Sequence, residues 1–208
     1  MVNQLQELPD SIYLNRLRRF IDIVYALIFF HLVNNYLPLI EDMEWSHKPY
    51  GLLSHMIDSK DELLRIFIGA GLTLMYWNQN NGLFKNLIKT NGAHVAMSLI
   101  QLFLVCLYVF FAIADPGLVT KSSPALQAGS LALAGFLSVW SWVYASKNNM
   151  INASLSEDDI NQITRSNFME PATAVVNIGL AFVGPMVWTL AWFVLPPFFM
   201  WILKKRKK

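Results

Sequence analysis

Long apolar runs, each about as long as a bilayer crossing, divide this chain of 208 residues into six segments. A helix needs roughly 20 mostly apolar residues to cross the hydrocarbon core of a membrane. Because 55% of the residues are hydrophobic and only 14% are charged, the composition excludes an ordinary soluble domain and a disordered chain. We predict one all-α integral membrane module over residues 1–208, a six-transmembrane-helix bundle with spans at approximately 18–40, 61–78, 93–114, 124–145, 168–184 and 186–203.

The polar breaks predict where several helices begin and end. Gly82 follows an asparagine-rich stretch and suits the position just after a helix. Asn167–Glu170 has the spacing of a capping box at the start of the fifth span, and Ser156–Asp159 has that of a short amphipathic helix before it. Pro196–Pro197 removes two backbone donors, so we expect the sixth span to kink or to end early there.

The basic residues predict the orientation of the spans. An even number of spans places both termini on the same side of the membrane. Twelve of the sixteen Lys and Arg residues lie in the segments on that side, whereas the other side holds only Lys48, Lys60 and Lys121. Since Lys and Arg collect in cytoplasmic loops, both termini are expected in the cytoplasm.

Enzyme and metal signatures are missing from the sequence. It carries none of the short motifs of serine hydrolases, zinc proteases, dinucleotide-binding proteins or P-loop enzymes. The single cysteine, Cys106, and four scattered histidines have no metal-ligand spacing. The last five residues are all basic, which is a tail rather than a groove for nucleic acid. We therefore expect no enzyme activity, catalytic residue, metal site, cofactor or nucleic-acid partner.

One line of side chains on the first span stands out. At about 100° per residue, Ile23, Leu27, Phe30 and Asn34 fall within an arc of about 60°. Copies of this helix around a common axis would stack these side chains as rings, and apolar rings can gate a pore by dewetting. The same spacing also describes a packing seam against a neighbouring helix, which composition alone favours.

Asp22 lies about 100° away from Ile23 on the helix and points off that line into the protein. Ionisable residues inside a membrane are functional candidates by default. Arg18 and Arg19, one turn earlier, are within reach of a local ion pair with Asp22. A supporting structural role for Asp22 is therefore preferred over a proton relay.

Two short motifs resemble the transmembrane protein 175 family of potassium channels. The first, Arg16–Asp22, is similar to the signature Arg-x-x-x-Phe-Ser-Asp, with Ile21 in place of the serine. The second, Trp77–Phe84, is similar to Trp-x-x-His-His-x-x-Phe, with asparagines in place of both histidines. The eight signature positions are Arg16, Phe20, Ile21, Asp22, Trp77, Asn80, Asn81 and Phe84, of which Ile21, Asn80 and Asn81 depart from the family's residues.

The resemblance implies a prokaryotic, single-module channel in the plasma (inner) membrane, in which four identical subunits place their first helices around one pore. Ile23, Leu27 and Phe30 match the pore positions, although many relatives have threonine where this chain has Phe30. The signature residues would brace the first helix against the second and third spans, and Gln101 would add a polar contact. The TVGYG filter of other potassium channels is absent from the family and from this sequence.

The leading hypothesis is a potassium-preferring passive cation channel with a hydrophobic constriction on its first helix. A second hypothesis is a proton-linked or ion-coupled secondary transporter that uses Asp22, His31 and Glu170, for which the proline-broken sixth helix is the best support. A third is a membrane assembly protein without transport activity, in which the line of side chains on the first span serves only for packing.

Overall fold

The computed structural model describes residues 2–35, 49–58, 60–115 and 118–205. Within these ranges all regular elements are helices and there is no β-strand. One isolated antiparallel β-bridge pairs Leu87 with Ile151. The outer end of the predicted first span, residues 36–40, and the loop with Lys48 lie outside the described residues. The helices are α1 (Val2–Asn35), α2 (Gly51–Asp58), α3 (Lys60–Phe84), α4 (Gly92–Ala114), α5 (Ser122–Lys147), α6 (Glu157–Leu180) and α7 (Pro185–Lys205).

Six long helices correspond in order to the six predicted segments, and the short α2 precedes the second of them. The predicted helix end near Gly82 is wrong, because α3 continues through the asparagine-rich stretch to Phe84. Asparagine and glycine lower helix propensity by at most about 1 kcal/mol each. Burial of Asn80, Leu83 and Phe84 against the rest of the protein opposes that cost and extends the helix.

The start of α6 corrects the predicted capping. Asn167–Glu170 is not a helix start, because α6 runs without interruption from Glu157 to Leu180. The capping box lies at Ser156 instead, whose Oγ accepts from the Asp159 amide at 3.2 Å while Asp159 Oδ2 accepts from the Ser156 amide at 3.1 Å. The Ser156 hydroxyl group also donates to Asp159 Oδ2 at 2.6 Å, and this hydrogen bond, together with the one from the Ser156 amide, lowers the pKa of the exposed Asp159 carboxyl. The predicted short helix and the fifth span are therefore one helix.

The prolines of α7 have two different effects. Pro185 is the first residue of the helix, where a missing N–H group costs nothing. Pro196 and Pro197 lie inside the helix, which nevertheless continues to Lys205, so the predicted early end is wrong. A proline removes one hydrogen bond of its own helix and leaves the others in place, and membrane helices tolerate this loss.

The core lies where α5 packs between α4 and α6. Small side chains on α5 are buried there, including Ala128, Ala132 and Ala134. Small residues allow membrane helices to approach closely. At the closest point, a Cβ atom on Gly135 would lie 3.0 Å from Pro171 Cβ and Cδ on α6, so glycine is required by the contact rather than by its backbone angles.

Among the described residues, the two helices α4 and α5 are long and apolar enough to cross a membrane by length and composition, and Pro185–Phe199 of α7 is a shorter apolar stretch. Large apolar side chains also cover the outer faces of these helices. Phe103 and Phe110 on α4, Trp140 on α5 and Phe193 on α7 are all at least 59% exposed. Apolar surface of this extent requires an apolar environment or a partner.

We predict that Gly135→Ala destabilises the protein by about 1–3 kcal/mol, because the added methyl group overpacks the contact with Pro171. Thermal unfolding in detergent, followed by circular dichroism, measures the effect. Gly129→Ala is the matched control, since it makes the same change on α5 where no atom lies within 4 Å of the new methyl group. Equal melting temperatures for both variants would contradict the close α5–α6 contact.

Candidate functional site

Helix α1 has two apolar faces with opposite environments. Ile21, Tyr25, Ile28 and Leu32 are buried in the hydrophobic core, where α1 packs against α3 and α4. The side chains two residues further along at each step, Ile23, Leu27 and Phe30, are 59%, 61% and 67% exposed. Two residues correspond to about 200° on a helix, so the exposed line is diametrically opposed to the buried one.

Within the described part of the chain, the exposed line is therefore not a packing seam. A seam of the kind that composition favoured would be covered by another helix, and the described residues of this chain leave all three apolar side chains open. Asn34 is also exposed and continues the line toward the end of α1. We call Ile23, Leu27, Phe30 and Asn34 the open stripe. Its surface is available to a second copy of the chain, to lipid or to an aqueous pore.

Close packing fixes the buried face of α1 at its C-terminal half. Leu32 is 1% exposed and contacts α3 where Gly69 provides room. A Cβ atom at Gly69 would lie 3.3 Å from Leu32 Cδ2 and 3.4 Å from the Tyr108 hydroxyl group of α4. Gly69 thus lets α1, α3 and α4 meet at one point.

Polar contacts hold α1 to α3 nearer the middle of the helix. Trp77 Nε1 donates to Asp22 Oδ1 at 2.9 Å, and Asn80 Nδ2 donates to the Tyr25 hydroxyl group at 3.5 Å. Asp22 forms no ion pair with Arg18 or Arg19 in the described part of the structure; the indole of Trp77 is its partner instead. The second contact is at the distance limit for a hydrogen bond and is the weaker of the two.

The remaining signature positions lie in different surroundings. Arg16 and Phe20 are exposed on α1, whereas Ile21 is buried in the core. Asn81 is half-buried on α3. Phe84 is buried and packs edge-on against the ring of His94 on α4, with 5.9 Å between the ring centroids. The structure therefore brings Asp22 to Trp77 and Tyr25 to Asn80, but it does not gather all eight positions into one cluster.

Two tyrosines also take part in the contacts between helices, and the sequence analysis did not identify either of them. Tyr25 lies on the buried face of α1, and Tyr76, which is fully buried, donates its hydroxyl proton to the Leu131 carbonyl oxygen of α5 at 2.6 Å. The spacing 21, 25, 28, 32 repeats the 4, 3, 4 pattern of the open stripe, and this pattern was the available signal for Tyr25. Tyr76 had no such signal, because its partner is a backbone carbonyl far away in sequence.

The three residues of the transporter hypothesis lie far apart in sequence and on two different helices. Asp22 and His31 lie on α1, more than two helical turns apart, and Glu170 lies on α6. Asp22 already accepts a hydrogen bond from Trp77. Glu170 instead lines a cleft beside α3 and α7.

We predict that Trp77→Phe lowers the stability of the protein by about 1 kcal/mol, because the ring is kept but Asp22 loses its donor. Chemical unfolding in detergent checks the change. Trp140→Phe is the matched control, since the indole of Trp140 is largely exposed and has no hydrogen bond among the described residues. A loss of stability in the control as large as that in Trp77→Phe would argue against the Asp22 contact.

Solved structures with the same arrangement of helices are known. The chain aligns over 91% of its length with a lysosomal potassium-selective channel TMEM175 homolog from Chamaesiphon minutus, covering 97% of that chain with a TM-score of 0.70 and 18% sequence identity. A variant of the potassium channel MtTMEM175, solved with a nanobody–MBP fusion protein, aligns over 93% of this chain and 94% of that chain with a TM-score of 0.61 and 15% identity.

No family model matches the sequence, and no curated protein matches it either. The likeness therefore resides in the three-dimensional arrangement rather than in overall sequence identity. The two short motifs in α1 and α3 predicted the same group of proteins that the arrangement of the helices identifies. This chain has the fold of the TMEM175 potassium channel homologues.

Proposed function

We propose that this chain is the subunit of a potassium-preferring passive cation channel, in which four identical subunits surround one pore lined by α1. The observation that carries the proposal is the open stripe, an apolar face of α1 that no other part of the described chain covers. The shared fold with potassium channels supports an ion-conducting role for that face. The chain is accordingly an integral membrane protein and not an enzyme.

The open stripe accounts for a constriction. In a symmetric assembly, Ile23 and Leu27 would each form an apolar ring, with Phe30 and Asn34 following toward the outer end. Rings of bulky apolar side chains exclude water and so form a barrier to ions. They offer no oxygen ligands, and the preference for potassium would follow from its lower cost of partial dehydration compared with sodium.

The contacts on the opposite face of α1 would keep the constriction in place. The buried line from Ile21 to Leu32 and the Asp22–Trp77 hydrogen bond join α1 to α3. A pore-lining helix needs such support, because a ring of side chains excludes water only while the helices that carry it stay at a fixed distance from the pore axis. Asp22 and Trp77 therefore act as structural supports rather than as ion ligands.

The membrane setting follows from the apolar surface. The outer faces of α4, α5 and α7 carry large exposed apolar side chains, which match the acyl chains of a lipid bilayer. The uneven distribution of Lys and Arg favours cytoplasmic termini. The resemblance of the two motifs to single-module channels favours a prokaryotic plasma (inner) membrane. The partners are therefore the bilayer, potassium as the permeant ion and further copies of the chain.

Potassium flux into liposomes tests the function. We expect Ile23→Ala and Leu27→Ala to conduct severalfold more than the unmodified protein or to discriminate less between potassium and sodium, because each shortens an apolar ring. Ile100→Ala on α4 and Leu133→Ala on α5 are matched controls, since these side chains are 53% and 60% exposed on other helices. Both controls should conduct as the unmodified protein does.

The outcomes separate the competing functions. Unchanged flux in both α1 variants would place the constriction elsewhere and contradict the pore assignment. Flux that requires an opposed pH gradient would favour the secondary transporter over the channel. No flux from any folded variant would favour an assembly role, and cross-linking of the purified protein would show whether four copies associate.

A further inference from the structure

A small cavity lies between α3, α4 and α5, away from the open stripe. Its lining includes Asn80 of α3, Gln101 of α4, and Ser138 and Trp142 of α5. The last three side chains are at most 2% exposed, so the cavity lies in the interior of the helix bundle. About 10 Å³ of it is open to the centre of a water-sized sphere. One water molecule needs roughly 10–15 Å³ on this measure, so the cavity has room for a single molecule of that size.

Three polar atoms of the lining residues have no hydrogen-bond partner among the described residues. These atoms are Gln101 Nε2, Ser138 Oγ and Trp142 Nε1, and all three are buried. Ser138 and Trp142 are four residues apart on α5 and therefore lie on the same face of that helix. Gln101 reaches the cavity from α4. Because buried polar groups are nearly always paired in folded proteins, a further molecule is needed to complete this site.

Most other polar side chains at the cavity already have partners. The Ser98 hydroxyl group donates to the His94 carbonyl oxygen at 2.9 Å, and His94 Nδ1 lies 2.9 Å from Thr90 Oγ1. Asn80 Nδ2 donates to the Tyr25 hydroxyl group at 3.5 Å. The buried atoms that still lack a partner at this cavity are therefore those on α4 and α5.

These three atoms select a small neutral molecule that can both accept and donate. The amide nitrogen of Gln101 and the indole nitrogen of Trp142 only donate, whereas the Ser138 hydroxyl group can do either. Two N–H donors disfavour a cation. A buried anion would need a neutralising charge, and no Lys or Arg is among the described residues that line the cavity. Water fits both the size of the cavity and the hydrogen-bonding groups.

We propose that this cavity binds one structural water molecule, which bridges α4 and α5. The water oxygen would accept hydrogen bonds from Gln101 Nε2 and Trp142 Nε1, and one water hydrogen would be donated to Ser138 Oγ. A bridging water is nearly as favourable as a direct hydrogen bond. Gln101, for which the sequence predicted a polar contact, would thus be joined to α5 through water.

Thermal unfolding of the purified full-length protein in detergent tests the site with Ser138→Ala. If water is bound, this variant removes one of its partners, and the melting temperature should fall by several degrees. If the cavity holds no water, the variant removes an unpaired buried hydroxyl group, and the melting temperature should stay the same or rise. An unchanged or higher melting temperature would therefore overturn the proposal.

Ser130→Ala is the matched control for this test. It makes the same change on α5, about two turns earlier, at a buried serine that does not line the cavity. We expect a melting temperature close to that of the unmodified protein. A fall as large as that of Ser138→Ala would mean that the loss is not specific to the cavity and would count against the water.

Gln101→Met gives a second test, because it nearly keeps the shape of the side chain but removes its donor. If Gln101 and Ser138 bind the same water, the fall in melting temperature of the double variant Gln101→Met with Ser138→Ala should be smaller than the sum of the two single falls. Additive falls would show that the two groups act independently and would overturn the proposal.

An experimental structure at a resolution that shows ordered water gives the direct measurement. We expect one density peak within hydrogen-bonding distance of Gln101 Nε2, Ser138 Oγ and Trp142 Nε1. A cavity without such a peak, or a direct hydrogen bond between these side chains, would overturn the proposal. None of these measurements uses potassium flux, so the channel proposal stands or falls separately.

Discussion

The burial of one face of α1 is the constraint on which the rest of the molecule depends. Leu32 against Gly69, and the line from Ile21 to Ile28 in the core, fix the rotation of α1 about its own axis. Once that rotation is fixed, Ile23, Leu27 and Phe30 have to face outward, because they lie about 200° around the helix. The hydrogen bond from Trp77 to Asp22 is directional, whereas apolar contacts are not, so it further restricts the orientation of α1 relative to α3.

The α4–α5–α6 layer serves as the support for this arrangement. Its helices approach closely because α5 presents alanine, serine and glycine to both neighbours. In an apolar solvent the hydrophobic effect between helices is weak, so the fit of small residues and a few hydrogen bonds decides which helices associate. The hydroxyl group of Tyr76, which donates to the Leu131 carbonyl oxygen, joins α3 to this layer. A firm support on one side of α1 allows its other side to remain uncovered by the described part of the chain.

The cleft beside Glu170 has a different origin from the open stripe. It is lined by residues of α3, α6 and α7, whereas the open stripe lies on α1. The sequence analysis assigned Glu170 to a capping box with Asn167 and, in the transporter hypothesis, to a set with Asp22 and His31. In the structure Glu170 is not part of a helix cap; it lines a cleft that also contains Gln79 of α3 and Trp192 of α7.

The sequence by itself determined the helical class, the six long segments and the alignment of Ile23, Leu27, Phe30 and Asn34 along one line of α1, because each follows from a periodicity or a run length that the chain carries locally. That this line is exposed was decided by the packing of α1. The two short motifs in α1 and α3, which have eight signature positions in total, also indicated the fold. Local signals failed at Gly82, Asn167–Glu170 and Pro196–Pro197, where packing carried the helices through residues that usually interrupt them. Only the tertiary structure decided that Trp77, rather than an arginine, pairs with Asp22, and that Gly135 meets Pro171. These contacts join residues far apart in sequence, and their formation depends on the separation and rotation of packed helices, which no single segment encodes.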